Sequence, residues 1–128
     1  MSLLVLDSCG VSRLSRQNQY AVAMISVFKR DGIWPPVVPS VVLVESLTGR
    51  QRKDVLTNRF LKTCEIVEDL PQYLARRSAA LRALAQRGSA VDAVVVAMAE
   101  PGGMVLGSDL GDLRALAAHA NDVLVHRA

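Results

Sequence analysis

Three aspartates fall at junctions where an apolar segment begins or ends. Asp7 follows the run Leu3–Leu6, Asp92 opens an alanine- and valine-rich segment, and Asp109 follows the run that starts at Met104. In an open parallel sheet, ligands bind beyond the carboxyl ends of the strands, where Asp7 and Asp109 would emerge. The alternative for Asp92 and Asp109 is a role in capping helices, and for Asp7 a role in a turn.

Two more acidic residues are candidates for the same site. Glu45 is the only charged residue between Asp31 and Arg50, and it lies in an apolar segment. A carboxylate on an apolar helix needs a partner or a metal, unless it reaches solvent from the helix edge. Asp112 lies one helical turn beyond Asp109 and would share its face.

Carboxylates that converge on one pocket repel each other unless a divalent cation neutralises them. Oxygen ligands favour hard ions, so the expected metal is Mg²⁺ or Mn²⁺ rather than zinc. Such a site activates water and polarises a phosphoryl oxygen. The acids therefore predict phosphodiester hydrolysis, provided that the fold brings them together.

Alternating strands and helices are predicted to position these acids. The predicted strands span residues 3–6, 37–38, 64–67, 104–106 and 123–125. The predicted helices span residues 11–30 with a break within 15–19, then 41–47, 52–61, 71–86, 90–99 and 112–119. Ser40 is the expected N-cap of the second helix, Gly88 ends the fourth, and Ser89 with Asp92 forms a capping box. This alternation predicts an α/β fold with a mainly parallel central sheet flanked by helices.

Length and composition fit one cytoplasmic domain. The 128 residues are 51% hydrophobic and 21% charged, which suits a packed core. Two cysteines, Cys9 and Cys64, are too few for a disulfide scaffold and are expected to be free thiols. The N-terminal apolar run is too short for a signal sequence or a membrane span.

The order of these segments resembles the PIN domain, most closely the VapC ribonuclease toxins of VapBC toxin–antitoxin modules. The matching motifs are a strand ending in Asp7-Ser8, a short helix carrying Glu45 after Pro39, Asp92-Ala93 opening an alanine-rich helix, and Ser108-Asp109 followed by Asp112. The resemblance spans nearly the whole chain. It implies a single domain over residues 1–128 and a PIN-like three-layer sandwich with a sheet of four or five strands.

The resemblance also implies a function and a set of site residues. It implies a Mg²⁺- or Mn²⁺-dependent endoribonuclease toxin that cleaves structured RNA, forms a homodimer and is inhibited by a cognate VapB-type antitoxin. Ser8 and Ser108 would orient the carboxylates. The implied catalytic and metal-binding acids are Asp7, Glu45, Asp92 and Asp109, with Asp112 as an additional metal ligand.

The basic residues suit an RNA substrate. The formal net charge is +3, but setting aside the five candidate acids leaves 15 basic against seven acidic residues. Arg13, Arg50, Arg52 and Lys53 are the candidate phosphate-binding residues, while Arg82 and Arg87 read as solvated helix faces. Aromatic residues are sparse, which favours recognition of the RNA backbone over base stacking.

Other functions fit less of the sequence. A PIN-like module that binds RNA or protein with weak or no catalysis is the main alternative, because Cys9-Gly10 departs from the family pattern beside Asp7 and predicts an altered helix start. A phosphoacceptor receiver domain needs a late lysine, but the last lysine is Lys62. A histidine-based ribonuclease would leave the acids unexplained, since His119 and His126 lie together near the C-terminus.

Overall fold

A computed structural model of the protein describes residues 3–128. They form a five-stranded, all-parallel sheet in the order β3-β2-β1-β4-β5. The strands are β1 (Leu4–Leu6), β2 (Val37–Pro39), β3 (Glu65–Val67), β4 (Met104–Gly107) and β5 (Leu124–Arg127). The predicted α/β class and parallel sheet are thus confirmed.

Seven helices within residues 3–128 connect and cover the strands. They are α1 (Ser8–Leu14), α2 (Gln19–Arg30), α3 (Ser40–Ser46), α4 (Val55–Leu61), α5 (Gln72–Ala85), α6 (Ala90–Ala99) and α7 (Leu110–Ala117). Parallel connections are right-handed, so the reversal of direction after β3 places α1–α4 on one face of the sheet and α5–α7 on the other. Packing of α1 on α2, α3 and α4, and of α5 on α6 and α7, agrees with this arrangement, which is a three-layer sandwich.

The central strands and α6 form the core because their residues are apolar on every side. Leu4, Val5 and Leu6 are fully buried, as expected for a strand covered on both faces. In α6, the residues from Ala93 to Ala97 are all buried. The residues at the carboxyl ends of β1 and β4 therefore belong to the hydrophobic core.

Two helices begin earlier than the sequence pattern predicted. The first helix was predicted to start at residue 11, yet α1 starts at Ser8 because Asp7 caps it. Helix α7 starts at Leu110 rather than at 112, because Asp109 is its N-cap. Hydrogen bonding by these aspartates outweighs the low helix propensity of the residues after them.

Three other predicted boundaries were wrong for local reasons. Ser40 is the first residue of α3 rather than its cap, and its Oγ donates to the carbonyl of Glu68 at 3.3 Å. Helix α4 starts at Val55 rather than at 52, because residues 51–54 form a turn. At the end of α5, the left-handed C-cap is Gln86, two residues before the glycine expected to end the helix.

The remaining predicted boundaries of strands and helices agree with the structure to within two residues. The polar stretch after Leu14 separates α1 from α2, with Gln17 in a left-handed conformation and Asn18 as the N-cap of α2. The capping box of Ser89 and Asp92 is present at the start of α6. No helix in residues 3–128 is long and apolar enough to cross a membrane.

Candidate functional site

The site lies where the sheet changes direction. Strands β1 and β4 are neighbours, with Leu6 opposite Leu106, but the chain leaves them toward opposite faces of the sheet. Such a switch point leaves a crevice beyond the carboxyl ends of the two strands. Asp7 directly follows β1, and Ser108 and Asp109 follow β4, so both chain exits carry an acid into this crevice.

Asp7 is held in place at the crevice floor. Its side chain caps α1 by accepting a hydrogen bond from the Gly10 N–H at 2.8 Å, and the residue is 7% exposed. Burial above all raises the pKa of Asp7, and the charge of Asp92 raises it further, while the Gly10 N–H opposes the rise. Because the charge of Asp92 acts on Asp7, the two carboxylates lie near each other.

Two glycines make room for the Asp7 carboxylate. A Cβ at Gly107 would overlap Asp7 Oδ2 and lie 2.6 Å from Leu113 Cδ1, so the carboxylate packs directly on the end of β4. A Cβ at Gly10 would lie 2.6 Å from the Leu106 carbonyl oxygen, so α1 approaches β4 closely. Because Gly10 fits against β4, the Cys9-Gly10 pair lies in a helix start that Asp7 caps, and a difference from the family pattern stays a prediction.

The helix starts bring three more acids together. In a parallel sheet the crossover helices run antiparallel to the strands, so α6 and α7 both begin at the edge where β1 and β4 end. Asp92, Asp109 and Asp112 each offer a carboxylate oxygen, and these oxygens all lie within 4.8 Å of one another. The distance between Asp92 and Asp109 could not be predicted from their separation in the sequence, because strand β4 lies between α6 and α7 along the chain.

Two of these acids also bond to the first turn of their helices. Asp92 accepts from the Ser89 N–H at 3.2 Å in the capping box, and Asp109 accepts from the Asp112 N–H at 3.5 Å. Helix N-termini stabilise carboxylates through their unpaired N–H groups and dipoles. Capping therefore orients the acids toward the crevice and lessens the cost of placing them together.

Asp112 has a cationic partner, Arg87, which was predicted to lie on a solvent-exposed helix face. Arg87 Nε lies 2.6 Å from Asp112 Oδ1. Arg87 is in the short connection between α5 and α6, 25 residues from Asp112 along the chain. No local spacing rule links residues so far apart, so only the packing of α5 and α6 against α7 reveals the pair.

Glu45 lies outside the acidic group of Asp92, Asp109 and Asp112. It is exposed near the end of α3, about 7 Å along the helix from Ser40 and therefore from the sheet edge. Val42 is the only buried residue of α3, and Val44 is 79% exposed. Water solvates Glu45 at this position, so burial does not require it to have a partner; its role as a metal ligand stays a prediction.

The candidate RNA-binding residues are all solvent-exposed. Arg13 lies in the last turn of α1, while Arg50, Arg52 and Lys53 lie in the loop between α3 and α4. The buried Asp54 closes this loop by accepting from the N–H groups of Thr48 and Gly49 and from the Thr48 hydroxyl. Hydrogen bonds from Thr48 above all lower the pKa of Asp54, so the loop is braced by an ionised carboxylate.

The other predicted residues occupy simpler positions. Ser8 is half-buried in the first turn of α1 and Ser108 is exposed, and an orienting role of their hydroxyls stays a prediction. Cys9 and Cys64 are free, and burial raises the pKa of Cys64 to about 11, which keeps it a thiol. His119 and His126 are exposed and belong to no metal-binding group within residues 3–128.

A scan against protein-family models found no match, and a search of curated proteins found no relative. The donors of the crevice are carboxylate oxygens from the starts of two helices, near the buried carboxylate of Asp7 at the end of β1. Two ligands of one Mg²⁺ lie at most about 4.2 Å apart, since Mg–O distances are about 2.1 Å. Small side-chain rotations would bring oxygens spaced within 4.8 Å onto one ion, so the donors fit a hard divalent cation.

Proposed function

We propose that the protein is a Mg²⁺- or Mn²⁺-dependent endoribonuclease of the PIN-domain type, acting as a VapC-like toxin on structured RNA. One observation carries the proposal: Asp92, Asp109 and Asp112 converge at the switch point of the parallel sheet, next to Asp7. Capping explains Asp92 and Asp109 singly, and the ion pair with Arg87 explains Asp112, but neither requires acids on two different helices to lie together.

Asp92, Asp109 and Asp112 would hold the metal ion, and Asp7 would face it from the crevice floor. When bound, a divalent ion of this kind lowers the pKa of a water and neutralises charge on the phosphate. The protein's part is to fix the carboxylates, through the Gly10 N–H at Asp7 and the capping box at Asp92. The raised pKa of Asp7 also means that a cation there would favour its ionised form.

The charge distribution supports a polyanionic substrate. The acids of the crevice lie in a chain with 15 basic residues, and the exposed Arg13 and the loop from Arg50 to Lys53 offer cations to phosphates. The VapB-type antitoxin, the homodimer and the cytoplasmic location that we propose rest on the resemblance to VapC toxins.

Conservative substitutions of the acids test the proposal. Asp7→Asn and Asp92→Asn retain an oxygen that accepts the capping hydrogen bonds, so both variants are expected to fold. Each should lose at least 100-fold of its cleavage rate on a mixture of structured RNAs with Mg²⁺ or Mn²⁺, and the wild type should be inactive in EDTA. Each should also abolish growth arrest when the chain is expressed.

Asp122→Asn is the matched control. Asp122 is exposed with a φ of 54°, a conformation that asparagine also tolerates, and it lies near Gly102 at the opposite end of the sheet. The Asp122→Asn variant should cleave RNA at the wild-type rate. Full activity of both Asp7→Asn and Asp92→Asn would refute the nuclease assignment.

The second candidate is a PIN-like module that binds RNA or protein with weak or no catalysis. It is favoured by the Arg87–Asp112 ion pair, which already neutralises one acid of the group, and by the position of Glu45 outside it. Persistent RNA binding without any divalent-metal binding, measured by calorimetry, would support this candidate over the nuclease.

A further inference from the structure

The turn between α5 and α6 holds Arg87 over the acidic group. Gln86 and Gly88 on either side of it have left-handed backbones. Gly88 packs so closely on Leu116 that a Cβ would lie 2.7 Å from its Cδ1, and its carbonyl accepts from Arg82 Nε at 3.3 Å. The turn backbone is therefore fixed on both sides of Arg87, which places this residue next to the acidic group.

The start of α7 accommodates the Arg87 guanidinium. A Cβ at Gly111 would lie 2.9 Å from Arg87 Nη2, so the guanidinium rests against a residue without a side chain. Its Nε lies 2.6 Å from Asp112 Oδ1, and the Asp112 side chain is 25% exposed while that of Arg87 is 55% exposed. A short contact at a partly shielded carboxylate is stronger than an ordinary surface ion pair.

The ion pair occupies an acid that the metal needs. Three carboxylates and one guanidinium carry a formal net charge of −2, whereas the three carboxylates alone carry −3. A guanidinium and a divalent ion on the same carboxylate repel each other, so binding of either weakens binding of the other.

We infer that Arg87 is a built-in counter-cation that competes with the divalent ion for Asp112 and thereby sets the metal affinity of the site. The inference rests on the proposed metal site and adds a regulatory element to it. Arg87 stabilises the acids when no metal is bound, and the divalent ion would bind Asp112 only when the guanidinium moves away from it. Because the side chain is long and half-exposed, it can turn to solvent without disturbing the turn.

Calorimetric titration with Mn²⁺ alone, without RNA, tests the inference through affinity rather than activity. Arg87→Gln should lower the Kd for Mn²⁺ on the order of tenfold, as expected from removing a charge about 5 Å from a divalent ion near the surface. Arg87→Lys restores the charge and should bind Mn²⁺ with a Kd closer to that of the wild type.

Arg76→Gln is the matched control, because Arg76 is exposed on the same helix α5, 11 residues before Arg87, and makes no ion pair within residues 3–128. Its Kd should stay within about twofold of the wild-type value. In an Asp112→Asn background, Arg87→Gln should change the Kd by less than it does in the wild type, since the shared carboxylate is gone and only the repulsion between the two cations remains.

The outcomes separate this inference from the proposed function. Equal or weaker Mn²⁺ binding by Arg87→Gln would refute the competition while leaving the metal site intact. Absence of Mn²⁺ binding in the wild type and in Arg87→Gln alike would refute both. Binding only after Arg87 is replaced would support the inference in its strongest form.

Discussion

Replacing Gly107 with alanine should damage both the stability and the site, because the structure leaves no space for a methyl group at this position. The added Cβ would overlap Asp7 Oδ2 and lie 2.6 Å from Leu113 Cδ1. Asp7 cannot simply turn away, since its Oδ1 is bonded to the Gly10 N–H. Overpacking of this kind costs about 2 kcal/mol, which for a domain of this size lowers Tm by about 8 °C.

The same clash should displace the Asp7 carboxylate, and a shift of about 1 Å in a catalytic group costs on the order of 100-fold in kcat/KM. Thermal melts followed by circular dichroism and RNA cleavage with Mg²⁺ measure the two effects. In an Asp7→Ala background the stability cost of Gly107→Ala should shrink by about 1 kcal/mol, because one of the two overlaps is removed.

Gly111→Ala is the control for Gly107→Ala. The Cβ at position 111 would meet only the flexible end of Arg87, and alanine favours the helix by up to about 1 kcal/mol. Its Tm should equal or exceed that of the wild type. A Gly107→Ala protein that melts within 1 °C of the wild type would show that the site is not packed as described.

Two further predictions concern the pH dependence of stability. Burial and the neighbouring Asp92 raise the pKa of Asp7, so the metal-free wild type loses stability as the pH rises through that pKa. The Tm of Asp7→Asn minus that of the wild type should therefore increase between pH 3 and 7. A difference in Tm that stays constant over this range would contradict the prediction. Hydrogen bonds from Arg77 lower the pKa of Glu100 from its usual value. Glu100→Gln should therefore cost about 1–2 kcal/mol of stability at pH 7, after allowing for the partial exposure of Arg77. In thermal melts at decreasing pH, the difference in Tm between the wild type and Glu100→Gln should shrink as the pH falls through the lowered pKa.

The order of strands and helices could be predicted because each depends on nearby residues. Apolar runs marked the buried strands, and Ser89 with Asp92 marked the start of α6. The helix starts at Ser8 and Leu110 could not be predicted, because each depends on an aspartate that caps the helix. From the sequence, the same aspartate could equally have been a turn residue or a metal ligand.

The site itself was predicted only in part. Asp92, Asp109 and Asp112 lie together, while Asp7 and Glu45 both lie outside this group of three, and Asp7 is near enough for the charge of Asp92 to act on it. The apolar neighbours of Glu45 suggested burial, but only one face of α3 packs on the protein, so the pattern overstated the need for a partner. Sequence patterns report residue types, while burial depends on which elements cover them.

By itself, the sequence determined the α/β alternation, the parallel sheet and the set of acids at its junctions, because periodicity and capping act over a few residues. Only the tertiary structure decided which acids meet, that Gly107 makes room for Asp7, and that Arg87 reaches Asp112. The contacts of Gly107 with Asp7 and of Arg87 with Asp112 join residues 25 or more positions apart, and the distances between the acids follow from the order of the strands and the packing of helices on the sheet.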